Sequence, residues 1–255
     1  MNQELLSKLD LKYKEIEEDS LSIQFVPPDC FFCVRLDGIK ATKNHLKEKL
    51  INKKFNKSFH EAIVQTFKAF NNSTNDKIKS KFVCLIALND EVSFLFEKSN
   101  IGYDRRIMKL CTILSGILSS WFTWEMVTYS KAKGGHFHKK RIVMPFDSRP
   151  LILKSESDVM EYIKYRYLVG KRYAYWKTLR LADYPEVYED HVKKNLDNAE
   201  HIVIDLNLEK KFYTIENTYT LFNINHESNL EQIVFNGDFF NKSSLYFYFQ
   251  KTIDH

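Results

Sequence analysis

The chain has 255 residues, 44% of them hydrophobic and 28% charged, with a formal net charge of +5. That hydrophobic share is ample for a globular core, built as one large domain or as a domain with an appendage. No apolar run reaches bilayer-spanning length, and Met1-Asn2-Gln3-Glu4 carries neither the basic patch nor the apolar core of a secretory leader, so membrane insertion and secretion are not expected.

Residues 3–18 carry Leu5, Leu6, Leu9, Leu11, Tyr13 and Ile16 among charges, the pattern of an amphipathic helix. Pro27-Pro28-Asp29 then breaks the chain. An apolar run follows, Cys30-Phe31-Phe32-Cys33-Val34, read as a strand that ends in Arg35-Leu36-Asp37-Gly38. Cys30 and Cys33 form a C-x-x-C, but no second pair or histidine cluster stands at zinc spacing. With Cys84 and Cys111 they are expected as free, buried thiols of a reducing, cytoplasmic compartment. Residues 59–70 place Phe59, Ile63, Phe67 and Phe70 at helical spacing, and residues 71–76 form a polar loop. Residues 82–88 and 92–96 read as a hairpin with Asn89-Asp90-Glu91 at its tip.

A helix is predicted over 104–121, with Ile107, Leu110, Ile113, Leu114, Ile117 and Leu118 on its apolar side. His136 and His138 alternate around Phe137 and read as exposed polar positions rather than metal ligands. A strand is expected at 141–146 and a Tyr- and Arg/Lys-rich helix at 157–181. Beyond Pro185 the pattern blurs into short aromatic stretches ending in Leu245-Tyr246-Phe247-Tyr248-Phe249. Strand, helix, hairpin, helix, strand is the βαββαβ ferredoxin-like order. The predicted architecture is therefore α+β: a palm with added helices over 1–184, then a separate, partly β extension over 185–255.

Two short segments carry the chemistry. Asp37 stands where one strand ends, and Asp90 and Glu91 stand at the hairpin tip. Hard divalent cations take oxygen ligands, and two carboxylates from neighbouring strands can hold the paired metals of phosphoryl transfer. Acids and glycine are also ordinary turn residues, so the same spelling fits a plain loop. Arg105 and Lys109 are four apart, hence on one face near a helix N-terminus, where phosphate is favoured. Arginine forks onto phosphate oxygens and lysine acts as a point charge. A solvated basic turn would read alike. The modest positive charge fits a polyanionic partner without requiring one.

Taken together these segments resemble the tRNA-His guanylyltransferase family and its relatives, the 3′–5′ polymerases. Val34-Arg35-Leu36-Asp37-Gly38 is similar to the family's V-R-L/I-D-G strand end, and Asn89-Asp90-Glu91-Val92-Ser93-Phe94 to its S-D-E-Y-S-F hairpin, with Asn for Ser. Tyr103-Asp104-Arg105-Arg106-Ile107-Met108-Lys109 resembles F-x-R-R-x-S-K, and Phe146-Asp147-Ser148-Arg149 resembles F-D-G-R. Lys57 stands about where the family has the lysine of a K-P-F/N-D stretch, without the proline. Order and spacing agree over residues 25–180.

The resemblance implies a magnesium-dependent nucleotidyltransferase that adds nucleotides in the 3′–5′ direction to an RNA 5′ end, tRNA or tRNA-like. Two Mg2+ ions would be held by Asp37, Asp90 and the carbonyl of Gly38, with Glu91 the neighbouring catalytic acid. Adjacency on a strand would turn the Glu91 side chain away from the metals. Lys57, Asn89, Arg105, Arg106 and Lys109 would bind ATP, GTP or another nucleoside triphosphate. A homotetramer with no membrane association is also implied.

The family's H-x-N-N-L-Y-N stretch is replaced here by Lys171-Arg172-Tyr173-Ala174-Tyr175-Trp176-Lys177. Lys171, Arg172, Tyr173, Trp176 and Lys177 suit backbone contacts and base stacking on RNA. They suit an amphipathic helix with an aromatic core face equally well. Strict tRNA-His specificity is not expected. Two other readings remain: a palm enzyme acting on free nucleotides (a cyclase or oligonucleotide synthase), and a non-catalytic RNA-binding protein. The retained acids argue against the last, because unpaired clustered carboxylates are costly without a cation.

Overall fold

The computed structural model describes residues 2–41, 53–73, 80–132, 143–184, 199–208, 219–224 and 230–233. In chain order the elements are α1 (Asn2–Leu21), β1 (Phe31–Gly38), α2 (Lys53–Ser73), β2 (Phe82–Leu88), β3 (Glu91–Phe96), α3 (Ile107–Ala132), β4 (Phe146–Leu153), α4 (Glu156–Leu181), α5 (Ala199–Asp205), β5 (Tyr219–Ile224) and β6 (Leu230–Ile233). The strands form one sheet, ordered β4-β1-β3-β2-β5-β6 and antiparallel throughout. Its first four strands with α2 and α3 are the expected βαββαβ palm.

Strand alternation decides the layers. Phe32, Val34 and Leu36 of β1, with Val92, Phe94 and Phe96 of β3, pack under α2 and α3. Phe31 and Cys33, with Leu95 and Leu151, face α1 and α4. Because both faces of β1 to β3 are covered, these strands read as unbroken apolar runs rather than alternating ones. The first layer is dominated by phenylalanine: Phe96 lies 4.3 Å from Phe82, 5.8 Å from Phe70 and 6.0 Å from Phe32, centroid to centroid. On the other face Tyr13 of α1 stacks on Tyr165 of α4, and Tyr162 lies edge-on to it.

Helix α4 is started by a capping box, in which Ser155 and Asp158 each accept from the other's backbone N–H. It crosses the sheet closely at Gly170, where a Cβ would lie 2.9 Å from Tyr219 Cβ and 3.1 Å from Leu88 Cδ1. The sequence reading set residues 185–255 apart; β5 and β6, from within that stretch, continue the palm sheet from β2. Residues 245–249 and His136 and His138 lie outside the described residues.

Several expectations are corrected; α2 runs on to Ser73, through residues read as a loop, and α3 to Ala132. The strand expected at 141–146 is found at Phe146–Leu153. It is an edge strand, where Pro150 is tolerated because its missing N–H removes no ladder bond. Helix α3 starts at Ile107 rather than 104, since Tyr103, Asp104 and Arg105 have φ of 48°, 55° and 60°. That left-handed run cannot belong to a right-handed helix. Finally, one apolar stretch does reach bilayer-spanning length: Ile107–Tyr129 of α3 passes by length and composition. Its Ser, Thr and Gly interrupt the apolar run without adding charge. Leu110, Leu114, Leu118 and Phe122 of this helix lie in the core, as in an ordinary packed helix.

Replacing Phe96 by alanine should lower unfolding stability by about 3–5 kcal/mol in a urea titration, because a fully buried ring leaves a cavity among three others. A loss below about 1 kcal/mol would show that this aromatic cluster is not the anchor of the α2–α3 layer.

Candidate active site

The site is built where β1 ends and the β2–β3 hairpin turns. Asn89 takes the left-handed turn position with φ 54°, a conformation that asparagine tolerates. The Gly38 N–H donates to the Asp90 carbonyl at 3.1 Å, tying the hairpin tip to the end of β1. A side chain at residue 38 would prevent this approach: its Cβ would meet Met144 Sδ at 2.8 Å, Ala41 Cβ at 3.0 Å and the Asp90 carbonyl at 3.2 Å.

Register then lines up acids across the sheet. Asp37 is the cross-strand partner of Glu91 on β3 and of Asp147 on β4. Directly opposed residues share a face, so Asp147, Asp37 and Glu91 form one row on the α4 side. Two residues along, Arg149, Arg35 and Ser93 form the next row. Arg149 bridges the acids, with Nε 2.9 Å from Asp147 Oδ2 and Nη2 3.6 Å from Asp37 Oδ2. Arg35 pairs with Glu17 of α1 at 2.7 Å.

The carboxylates strain against one another. Burial, then the charges of Glu91 and Asp37, push the Asp90 carboxyl up to about 7. Burial and then Glu91 raise Asp37, against Arg149. Lys177 of α4 donates from Nζ to Asn89 Oδ1 at 2.7 Å. Its ammonium is drawn down to about 8 by burial, while Asp90 opposes that fall. Two partly buried, mutually repelling carboxylates are a donor set suited to a hard divalent cation. Among the described residues, no three His, Cys, Asp or Glu side chains converge as a metal set. Asp37 and Asp90 remain the candidate ligands, with the Gly38 carbonyl that the resemblance implies.

Other expected site residues fall into place unevenly. Glu91 does not turn away from the acids; the register sets it beside Asp37, where Arg166 of α4 holds it in a buried ion pair. Arg105 is not available to phosphate. Its guanidinium donates to the carbonyls of Val26, Pro27, Pro28 and Lys98 and clamps the loop before α3. Nor do Arg105 and Lys109 share a helix face, since α3 begins between them. Arg106 lies 3.8 Å from Asp104, and Lys109 stands over the Tyr103 ring. All three lie by the start of β1 and the end of β3, whereas the acids lie at the opposite end. The eight residues of β1 separate them by roughly 25 Å. Lys57 is exposed on α2, which covers the other sheet face from Asp37.

The 171–177 stretch is part core and part surface. Lys177 is 5% exposed, and Tyr175 and Ala174 are core. Lys171 stands over the Tyr175 ring, Arg172 approaches Asp10, and Tyr173 and Trp176 meet edge to face. Lys177 belongs to the hairpin tip, while Lys171, Arg172, Tyr173 and Trp176 stay partly exposed.

Arg166, Arg149 and Asp147 went unassigned in the sequence reading. Arg166 had a legible signal: a charged residue set among Tyr162, Tyr165, Leu168 and Val169, all on the buried face of its helix.

Residues 12–154 match the family model described as tRNAHis guanylyltransferase. The tRNA(His) guanylyltransferase of Candida glabrata is 26% identical over 159 residues, spanning 60% of this chain and 63% of that protein, a little under two thirds of its length. The crystal structure of tRNA(His) guanylyltransferase from Saccharomyces cerevisiae superposes with a TM-score of 0.63 at 16% identity, over 84% of this chain and 93% of that one. A bacterial tRNA(His) guanylyltransferase-like protein in complex with ATP gives 0.61 at 15% identity over 91% and 95% of the two chains. Its complex with GTP gives 0.57 at 12% over 92% and 95%. At these identities the structural likeness establishes the palm fold.

The raised acids set a pH dependence. Folded Asp90 keeps its proton to about 7, whereas the ordinary value is 3.8, so the folded state binds the extra proton in that window. Without divalent cations, stability should therefore fall as pH rises from about 4 to about 7. Asp90→Asn should flatten that slope and raise the melting temperature at neutral pH in chelator. A wild-type melting temperature that rises steadily through this window would contradict the assignment.

Proposed function

The chain belongs to the tRNAHis guanylyltransferase family, and from that premise we propose that it is a magnesium-dependent nucleotidyltransferase adding nucleotides in the 3′–5′ direction to an RNA 5′ end. The observation that carries the reading is the Gly38–Asp90 tie, which gathers the Asp37 and Asp90 carboxylates at one sheet end. Two Mg2+ ions bound there would neutralise charge on the attacking and leaving oxygens, the main requirement of phosphoryl transfer.

In the reaction proposed, an RNA 5′-monophosphate oxygen attacks the α-phosphorus of ATP and displaces pyrophosphate. The 3′-hydroxyl of an incoming nucleoside triphosphate then gives up its proton, bonds to the RNA 5′ phosphorus and displaces AMP. A 5′-triphosphate RNA skips the first step and releases pyrophosphate in the second. Asp37 and Asp90 would hold the cations, and Lys177 braces the hairpin tip through Asn89. The use of ATP and GTP agrees with the two nucleotide complexes among the structural neighbours.

Several RNA 5′ ends, rather than tRNA-His alone, should serve. The stretch replacing the family's recognition motif is partly folded inward, and its partly exposed basic and aromatic side chains offer little sequence readout. That same inward packing favours a second reading, transfer between free nucleotides without RNA. Assembly into a homotetramer belongs to the proposal, with Met108 and Trp124 of α3 offering exposed apolar surface. A cytoplasmic location agrees with the free Cys30, Cys33, Cys84 and Cys111.

Asp37→Ala and Asp90→Ala should each reduce nucleotide addition by a factor on the order of 10² or more at saturating magnesium, while circular dichroism stays native. The assay uses labelled nucleoside triphosphates with a panel of 5′-monophosphate and 5′-triphosphate RNAs, and without RNA. Near-normal turnover in either folded variant would rule out the site. Addition confined to tRNA-His would remove the broad-substrate reading, and product formed only without RNA would favour the free-nucleotide one.

A further inference from the structure

A third carboxylate stands at the site and is kept from it. Glu91 is the direct cross-strand partner of Asp37, so their Cβ atoms are about 5 Å apart on one face. From that position a free Glu91 carboxylate could swing onto any cation held by Asp37. It does not, because Arg166 reaches down from α4 and takes its Oε2 in a salt bridge. The Arg166 side chain is 3% exposed, against 19% for Glu91, so water screens the pair little. The Arg166 guanidinium also stands over the Tyr165 ring. Its Nε has no hydrogen-bond partner, a cost that a purely packing residue would avoid. Asp37 and Asp147 share one half-exposed arginine, Arg149; Glu91 has a buried guanidinium of its own.

Resting on the two-carboxylate reading above, we propose that Arg166 is a positioning residue that withholds Glu91 from the cation site, leaving Asp37, Asp90 and the Gly38 carbonyl to take the ion. Two consequences follow from charge and geometry. The pair keeps the site at two carboxylates, so a cation is bound loosely enough to be shared with a polyphosphate. It also anchors the first residue of β3, and hence the adjacent Asp90, to α4. Ser93, two residues on, is fixed to the same helix by its 2.8 Å hydrogen bond with Tyr162.

The test is calorimetric titration of the full chain with Mn2+ alone, in the wild type and in D37N, D90N, E91Q, R166Q and R166Q/E91Q. D37N and D90N should weaken binding by about tenfold or more, and E91Q by clearly less than either. R166Q frees Glu91 and should tighten binding, and R166Q/E91Q should cancel that gain. A merely structural arginine would give a loss or no change, not a gain that depends on residue 91. If D37N and D90N leave binding unchanged, the two-carboxylate reading itself fails. If they weaken it and E91Q weakens it equally, Glu91 is a ligand and the role given to Arg166 falls alone. R166Q binding that is unchanged or weaker overturns the proposal as well. Should R166Q not fold, R166K replaces it, since the shorter, single-point donor loosens its hold on Glu91; tighter binding that E91Q cancels supports the role, and any other result overturns it.

Discussion

One backbone hydrogen bond organises the acidic end of this sheet. The Gly38 N–H reaches the Asp90 carbonyl at 3.1 Å, and a residue with no side chain there avoids crowding Met144 and Ala41. That contact brings the end of one strand against the turn between two others. Asp37 and Asp90 are thereby forced into a common, partly buried space, and burial with mutual repulsion raises both carboxyls. A glycine, a left-handed asparagine and two acids suffice to make a place that a divalent cation would relieve.

The α4 side of the sheet answers that charge with buried cations. Arg166 meets Glu91, Lys177 meets Asn89 beside Asp90, and Arg35 meets Glu17. Burying charges this way is a weak source of stability, since desolvation offsets the attraction. Their effect is geometric: each fixes one element of the acidic row to a helix. Helix α4 therefore does the work of a brace for the hairpin, and its aromatic residues wedge it onto α1 and β5. The same packing turns Ala174, Tyr175 and Lys177 inward and leaves Lys171, Arg172, Tyr173 and Trp176 partly exposed.

Much of this was legible in the sequence. Strands β1 to β3 announce themselves because both faces are covered, and the positions of Asp37 and Asp90 follow from where those apolar runs stop. Less legible was anything set by pairing rather than by local pattern. The Asp147–Asp37–Glu91 row depends on a β4 register that an edge proline disguises. Arg105 sits in a spelling that suggests phosphate binding, yet three consecutive left-handed residues turn its guanidinium onto four carbonyls. The direction of Lys177 follows from α4 lying across the sheet, which helical periodicity alone does not fix. Strands β5 and β6 are short and depend on β2 for an edge to pair with, so their own sequence carries only a faint signal.

The most direct measurement is anomalous diffraction from crystals grown with Mn2+ and a non-hydrolysable nucleoside triphosphate. The account predicts manganese between the Asp37 and Asp90 carboxylates and the Gly38 carbonyl, with Glu91 still on Arg166. Manganese bound elsewhere on the protein, or bound without either aspartate, would contradict it.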